Sequence, residues 1–404
     1  MQAPQGMTLG RIFGIQIAVD WSLLIIFLLV SFSLSAGAFP SWHPDWSPLL
    51  CWVTGLAAAV LFFASVLAHE LSHALVGRAR GVGFHRITLF VFGGVAHMEG
   101  EPPDWRAEFF MAIVGPLTSL VLGVLFTGLA GLFVDLSTLQ PTDPAAALAS
   151  AGPVPTLLLW LGPINILLGL FNLVPGFPLD GGRVLRAVAW GLTGNLRKAT
   201  RWASRAGQAF AWILMGSGLA MMLGLHVPVF GTGLVGGLWL AFIGWFLNNA
   251  AVASYRQLAL REALSSIPVR RLMQTQLATA PPDMTISELV DGHMMASGQR
   301  AFPVVRDDRL LGLACLSDLG KRERGTWHEA TVADVMTGAA DLETVGPEED
   351  ASSALEKLAR REFDQLPVVV DGRLLGLLRR QDLLKWLSLH PELMDEEGVP
   401  RRIA

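Results

Sequence analysis

Residues 51–68, CWVTGLAAAVLFFASVLA, carry no charge over eighteen positions, and five further stretches of the chain are almost as apolar. A membrane span needs about 20 predominantly apolar residues. Runs of that kind lie at 21–38, 50–76, 108–134, 155–174, 206–224 and 229–249. A chain with six such segments is constrained to a helical bundle in a bilayer, because lipid leaves backbone polar groups no partner outside a helix or a closed barrel. Charge follows the same division. Only 16% of residues are charged, against about 25% in an ordinary soluble protein, and most of the charged side chains fall after residue 250.

The expected fold is therefore a mostly α membrane protein with six transmembrane helices, followed by a soluble α/β module. The segments joining the spans fix the orientation. Those near 39–49, 135–154 and 225–228 contain no Lys or Arg. The segment after the second span holds Arg78, Arg80, Arg86 and Arg106. The one after the fourth holds Arg183, Arg186, Arg197, Lys198, Arg201 and Arg205, and Arg256 and Arg261 follow the sixth. By the positive-inside rule both termini and everything after residue 250 are cytoplasmic, in a multi-pass protein of the cell membrane. Arg11, the run Trp21–Val30 and SAGA at Ser35–Ala38 resemble a secretory leader, but the spans that follow favour a retained first helix. The net charge of −4 and the lack of a basic tract argue against nucleic acid. Cys51 and Cys315 are the only cysteines and read as small core residues, without a disulfide framework.

At the cytoplasmic end of the second span stands HELSH, His69–His73. On a helix, residues four apart share a face, so both imidazoles suit one ion, with Glu70 placed to act on a water. Ionisable groups inside a span are costly and mark a site facing the bundle interior. A catalytic zinc takes three protein ligands, so one is missing. The best candidate is Asp180 in FNLVPGFPLDGGRVLRA, Phe171–Ala187, where Pro175 and Pro178 interrupt the helix. The alternative makes Asp180 the N-cap of a helix starting at Gly181.

HELSH together with FNLVPGFPLDGGR resembles the site-2 protease family of intramembrane zinc metalloproteases, whose pattern joins HExxH to a distant N-x-x-P-x-x-P-x-D-G segment. The resemblance covers roughly residues 10–250. It implies His69, His73 and Asp180 as ligands of one Zn2+, and Glu70 as general base and acid. It implies Asn172 as a donor to the substrate backbone or the developing oxyanion. ITLFVFGGVAHMEG, Ile87–Gly100, has β-branched and aromatic residues before a Gly-Gly pair and reads as a strand hairpin. It is similar to the family's re-entrant β segment, which implies that Gly93 and Gly94 contact an extended substrate by β-augmentation. His97 and Glu99 are expected at the rim, not among the ligands. Gly115-Pro116 looks family-like and permits close helix approach. Asp20 stands where relatives often have histidine, and no role is assigned to it. The implied substrates are single-span, membrane-tethered regulators such as anti-sigma factors, already trimmed by another protease.

Residues 251–266 read as a linker, and the chain then repeats itself. FPVVRDDRLLGLACLSDL, 302–319, matches LPVVVDGRLLGLLRRQDL, 366–383, and VRRLM at 269–273 matches VADVM at 332–336. Residues 267–388, divided at about 267–325 and 330–388, resemble a tandem CBS pair, with a tail at 389–404. Such pairs often bind adenine nucleotides, and the resemblance implies Asp318 and Asp382 at the ribose. The hydroxyl that the pattern places three residues after Gly312 and Gly376 is replaced by Cys315 and Arg379. Capping of the following helices is the alternative role for both aspartates, and homodimerisation is the alternative role for the pair. The competing reading of the whole chain is a CBS-regulated channel or transporter, in which HELSH lines an ion path. Paired charges in several spans or repeat symmetry between halves would favour it, and the sequence has neither.

Overall fold

The computed structural model describes residues 6–91, 93–133, 151–265, 267–294, 299–320, 322–360 and 364–389. The expectations for most of 135–154 and for the tail lie outside these residues. The chain divides into two compact units, residues 1–255 and 256–404.

The first unit opens with an antiparallel pair, β1 (Met7–Ile12) and β2 (Ile15–Val19), which the sequence reading had not anticipated. Helix α1 then runs from Trp21 to Trp42, with a π-helical segment at Ser33–Ala38. Asp20 is its N-cap, accepting hydrogen bonds from the Ser22 backbone N–H (2.9 Å) and hydroxyl (2.5 Å). These bonds, the hydroxyl first, hold the Asp20 carboxyl below its ordinary pKa. Asp20 thus has a structural role, that of satisfying the free donors at a helix start.

Helix α2, Pro48–Ala79, carries HELSH near its C-terminal end. The hairpin read in the sequence follows as β3 (Gly83–Phe90) and β4 (Gly93–Glu99). With the N-terminal pair they make one sheet of order β1-β2-β3-β4, in which β2 and β3 run parallel. Gly93, at φ +124°, makes the turn between β3 and β4 that a side chain would strain. Arg78 staples the end of α2 to this sheet, donating to the carbonyls of Phe13 (2.6 Å) and Phe84 (2.7 Å). Ile15, Ile17, Val66, Ala74, Phe84, Ile87 and Met111 form the core between sheet and helices.

Helices α3 (Trp105–Gly131), α4 (Pro153–Asn172), α5 (Asp180–Thr193), α6 (Leu196–Met222) and α7 (Leu234–Leu264) follow, the last extending past residue 255. Glycines let α3 and α4 approach closely: a Cβ on Gly123 would sit 2.5 Å from Ile166 Cγ1, and one on Gly162 2.2 Å from Thr127 Oγ1. Among the described residues, five helices are long and apolar enough to cross a membrane: α1, α2, α3, α4 and α7. The segment expected as a further span is α6, whose first three turns carry Arg197, Lys198, Arg201 and Arg205, so its apolar part is short. The stretch read as a linker from 251 is helical, continuing α7 to Leu264. Its Ala, Leu, Arg, Gln and Glu residues are all good helix formers.

The second unit is a mixed α/β fold with one sheet built from β5 (Ala301–Arg306), β6 (Arg309–Cys315), β7 (Thr337–Gly338), β8 (Gln365–Val370) and β9 (Arg373–Arg379). Its two long hairpins turn at Asp307-Asp308 and Asp371-Gly372, all four residues at positive φ, as the tight turns read in the sequence require. The two halves exchange their leading segments. Val269 and Leu272 pack with the second repeat in a core that includes Leu366, Val368 and Leu378. Val332 and Val335 pack with the first repeat around Phe302 and Val304. Cys51 and Cys315 form no disulfide.

Candidate metal centre

Three side chains from two distant segments meet in the first unit. His69 Nε2 lies 3.0 Å and His73 Nε2 3.1 Å from Asp180 Oδ2, and the two Nε2 atoms are 3.2 Å apart. His69 and His73 are only 4% and 8% exposed. Their spacing on α2 is what the sequence predicts. Asp180 arrives because the chain leaves α4 at Asn172, turns through PGFP with a cis Phe177–Pro178 peptide, and starts α5. The turn packs tightly. A Cβ on Gly182 would lie 2.4 Å from the Phe177 nitrogen, and one on Gly181 2.3 Å from the Leu173 oxygen. Asp180 is the first residue of α5 and makes no capping bond, Leu179 being the N-cap.

Helix α3 orients both imidazoles from behind. His73 Nδ1 contacts the Met111 carbonyl at 2.5 Å, and His69 Nδ1 contacts the Ser119 hydroxyl at 2.9 Å. A carbonyl only accepts, so the proton of a neutral His73 is on Nδ1 and the Nε2 lone pair faces the other two groups. Ligands of a tetrahedral zinc at about 2.05 Å are about 3.3 Å apart, close to all three separations observed. The space they surround is kept open by Gly115 of α3: a Cβ there would be 2.1 Å from His73 Nε2 and 2.8 Å from His69 Nε2. Two imidazole nitrogens and one carboxylate oxygen converging on such a cradle fit a small divalent cation. Among the described residues this is the one cluster of three or more His, Cys, Asp and Glu ligand atoms of that kind.

Glu70 lies one residue round from His69, beneath the hairpin. A Cβ on Gly94 would approach Glu70 Cγ to 2.4 Å, Cδ to 2.7 Å and Oε1 to 3.0 Å, so the bare backbone of Gly94 packs directly on the Glu70 carboxylate. Gly94 is thus brought to Glu70, while Gly93 is at the turn. Asn172 ends α4 and donates to the Leu168 carbonyl at 3.0 Å, which commits one amide hydrogen to its own helix. His97 sits opposite Arg86 in the hairpin, with Thr88 Oγ1 at 3.4 Å from Nε2, and is not part of the cluster. The Glu99 side chain is outside the described atoms.

The CBS aspartates lie differently. Asp318 accepts from the Cys315 backbone N–H at 3.0 Å. Asp382 accepts from the Arg379 backbone at 3.1 Å and from its guanidinium at 2.9 and 2.7 Å. Both carboxylates stand inside the first turn of their helices and bond back to the residue before it, a capping contact made from within the helix and not from the N-cap position.

Several contributors were not read from the sequence. Ser119 and the Met111 carbonyl carry no motif of their own. Arg183 and Arg186 were counted as cytoplasmic connection charges, although Arg186 is only 6% exposed. The signal available was Glu108, an acid just inside an apolar run, which called for a cationic partner.

Comparison with known proteins bears on the same residues. The description "Peptidase family M50" matches residues 57–141 and 131–214, and the CBS domain description matches 269–322 and 332–389. The chain is 34% identical over 384 residues to "Putative zinc metalloprotease Rip3" of Mycobacterium tuberculosis strain H37Rv, covering 95% of this chain and 93% of that protein. It is 34% identical over 385 residues to "Putative zinc metalloprotease sll0528" of a Synechocystis species, covering 94% of each. Among solved structures, the site-2 protease from Methanocaldococcus jannaschii matches with a TM-score of 0.40 at 28% identity, over 62% of this chain and 95% of that one. The chain belongs to peptidase family M50: it is a multi-pass, site-2-protease-like zinc metalloprotease with a C-terminal CBS pair.

Proposed function

We propose that the protein is an intramembrane endopeptidase that cuts the transmembrane segment of membrane-tethered regulatory proteins, anti-sigma factors among them, near the cytoplasmic face. The observation that carries this reading is the convergence of His69 Nε2, His73 Nε2 and Asp180 Oδ2 on the Gly115 cradle. In it, these three residues hold one Zn2+. When bound, zinc supplies Lewis-acid polarisation of a carbonyl and lowers the pKa of a water to about 7.

The chain's own groups do the rest. Glu70 takes the proton of the attacking water and returns it to the leaving amine, the two transfers peptide hydrolysis requires. Gly94 holds the Glu70 carboxylate from above. Strand β4 is at one edge of the sheet, and an unwound substrate segment adds there as a further strand, with Gly93 and Gly94 leaving room for its backbone. For this the hairpin must re-enter the membrane from the cytoplasmic side. Asn172 turns its second amide hydrogen to the substrate or the developing oxyanion. Both termini and the CBS pair are cytoplasmic, with the apolar part of α6 making the sixth crossing that an even count requires, and the pair acts as a regulatory or homodimerising module. An adenine nucleotide reaching Asp382 has first to displace Arg379.

The test uses full-length protein in detergent with a trimmed single-span substrate. Glu70→Gln is expected to keep one zinc per chain and to lower the cleavage rate by about 10²- to 10⁴-fold, the range for general acid–base groups. Cleavage at the wild-type rate by the zinc-loaded variant would refute the mechanism. Cation flux through reconstituted vesicles that is indifferent to Glu70→Gln would favour a channel instead.

A further inference from the structure

Taking His69, His73 and Asp180 as the metal set, the site has a mechanical weakness. Two of its members come from α2 and are oriented by α3, through Met111 and Ser119. The third stands at the start of α5 and makes no capping bond there. The triad keeps its shape only if α5 is fixed against α3.

Besides the packing of Gly191 against Trp105, an ion-pair cluster joins these two helices. Glu108, in the first turn of α3, is completely buried, and Arg186 lies nearly two turns into α5. Arg186 Nε donates to Glu108 Oε1 at 2.6 Å, and its Nη2 reaches both Glu108 Oε1 and, at 3.2 Å, Glu101 Oε2 in the segment leading into α3. The same guanidinium lies over the Phe177 ring, 5.5 Å from its centroid, three residues before Asp180. Arg183 completes the group with Nε 3.9 Å from Glu108 Oε1. One side chain thus grips α3, the approach to α3, and the turn that delivers Asp180.

Asp180 and Arg186 are six residues apart on a continuous helix, a rise of about 9 Å. Fixing one end of so short and stiff a segment fixes the other. A buried ion pair is poor evidence of stability, since apolar residues of similar volume often serve as well. Arginine at this point instead offers a planar fork that engages two carboxylates at once.

We propose that the Glu108–Arg186 ion pair is a positioning clamp, which holds α5 against α3 so that Asp180 Oδ2 stays in register with His69 and His73 for the metal. Neither residue touches substrate or ion; both act through Asp180.

The test is a zinc affinity, measured without substrate by chelator competition on the full-length protein in detergent. Four proteins are compared: wild type, Glu108→Gln, Asp180→Ala and the double variant. Glu108→Gln is expected to weaken zinc about tenfold, the scale of groups that orient ligands. In the Asp180→Ala background it is expected to add less than about twofold, because the residue it positions is gone. Equal losses in both backgrounds would mean general loosening and would overturn the clamp, as would a folded Glu108→Gln protein with wild-type affinity. If Asp180→Ala itself leaves the affinity unchanged, the ligand assignment beneath the clamp fails, and the two failures are told apart. Should Glu108→Gln not fold, Arg186→Lys keeps the charge but not the fork. It is expected to give a smaller loss that again vanishes with Asp180→Ala; a loss surviving there would overturn the proposal.

Discussion

Asp180 and Asp382 occupy the same kind of place, the first turn of a helix that follows a non-helical segment. Their carboxylates do opposite things. Asp382 turns back onto Arg379, three residues earlier, and closes a local loop. Asp180 makes no local bond and reaches across 111 residues of sequence to His69. An aspartate at a helix start caps unless something distant competes for it. In the metalloprotease unit, two histidine nitrogens provide that competition, and the glycine-packed turn aims the side chain at them. In the CBS unit the nearest cation is the residue's own neighbour.

The contrast is broken most forcefully by removing each carboxylate. Asp180→Ala is expected to weaken zinc by more than the 10- to 100-fold typical of residues that merely orient ligands, with little change in thermal stability of the metal-free protein. Asp382→Ala is expected to leave zinc untouched and to cost about 1 kcal/mol of CBS stability, the scale of one hydrogen bond that satisfies a backbone donor at a helix start. Metal content with a chelator titration, and calorimetry of the full chain, read the two effects. Equal metal loss from both variants would erase the distinction.

Two glycines sharpen the comparison inside the metal centre. A methyl on Gly115 falls 2.1 Å from His73 Nε2, whereas a methyl on Gly94 falls 2.4 Å from Glu70 Cγ. His73 is pinned from behind by Met111 and cannot retreat. Gly115→Ala is therefore expected to abolish zinc binding. Gly94→Ala displaces only Glu70, so with Glu70 as the proposed general base it is expected to retain zinc and lose roughly 10²-fold or more in turnover. Zinc stoichiometry and single-turnover cleavage on both variants decide it; retained zinc in Gly115→Ala would show that the cradle is elsewhere.

How far the sequence disclosed this follows from the range of each interaction. HELSH declared its geometry because both histidines are on one helix, where a four-residue spacing fixes their face. The hairpin was legible from its glycine pair and β-branched residues, and the CBS hairpins from repeated Asp-Asp and Asp-Gly turns. Asp180 stood out as a candidate in the Pro-interrupted stretch after the fourth span, but its local signal is equally that of a cap, and the resemblance tipped the choice. The Met111 carbonyl leaves no mark in a sequence, and Ser119 resembles any small residue in a span. Arg186 misled because basic residues near a span are ordinarily solvated; burial against Glu108 is a tertiary fact. Strands β1 and β2 were missed because their residues alternate too briefly to stand out beside the first span. The exchange of leading segments between CBS halves was invisible for a similar reason, as the repeat fixes each unit's pattern but not which half it packs on.

The smallest expected effect concerns the position where the CBS pattern is broken. Arg379 stands where a hydroxyl is expected, and it pairs with the carboxylate expected at the ribose. The pair is partly exposed, with side chains 24% and 14% accessible, so its strength falls within the ~0.2–1 kcal/mol of surface ion pairs. An adenine nucleotide that displaces Arg379 forfeits that amount. Arg379→Ser removes the competitor and restores the hydroxyl, so ATP affinity of the full-length protein is expected to rise by up to about fivefold, the factor corresponding to 1 kcal/mol. Zinc content, which the proposal assigns to Asp180 and its histidines in the other unit, is expected to stay the same. If calorimetric titration detects no ATP binding to either form, Asp382 is a cap and nothing more, and the CBS unit must be regulated by a different ligand or by dimerisation alone.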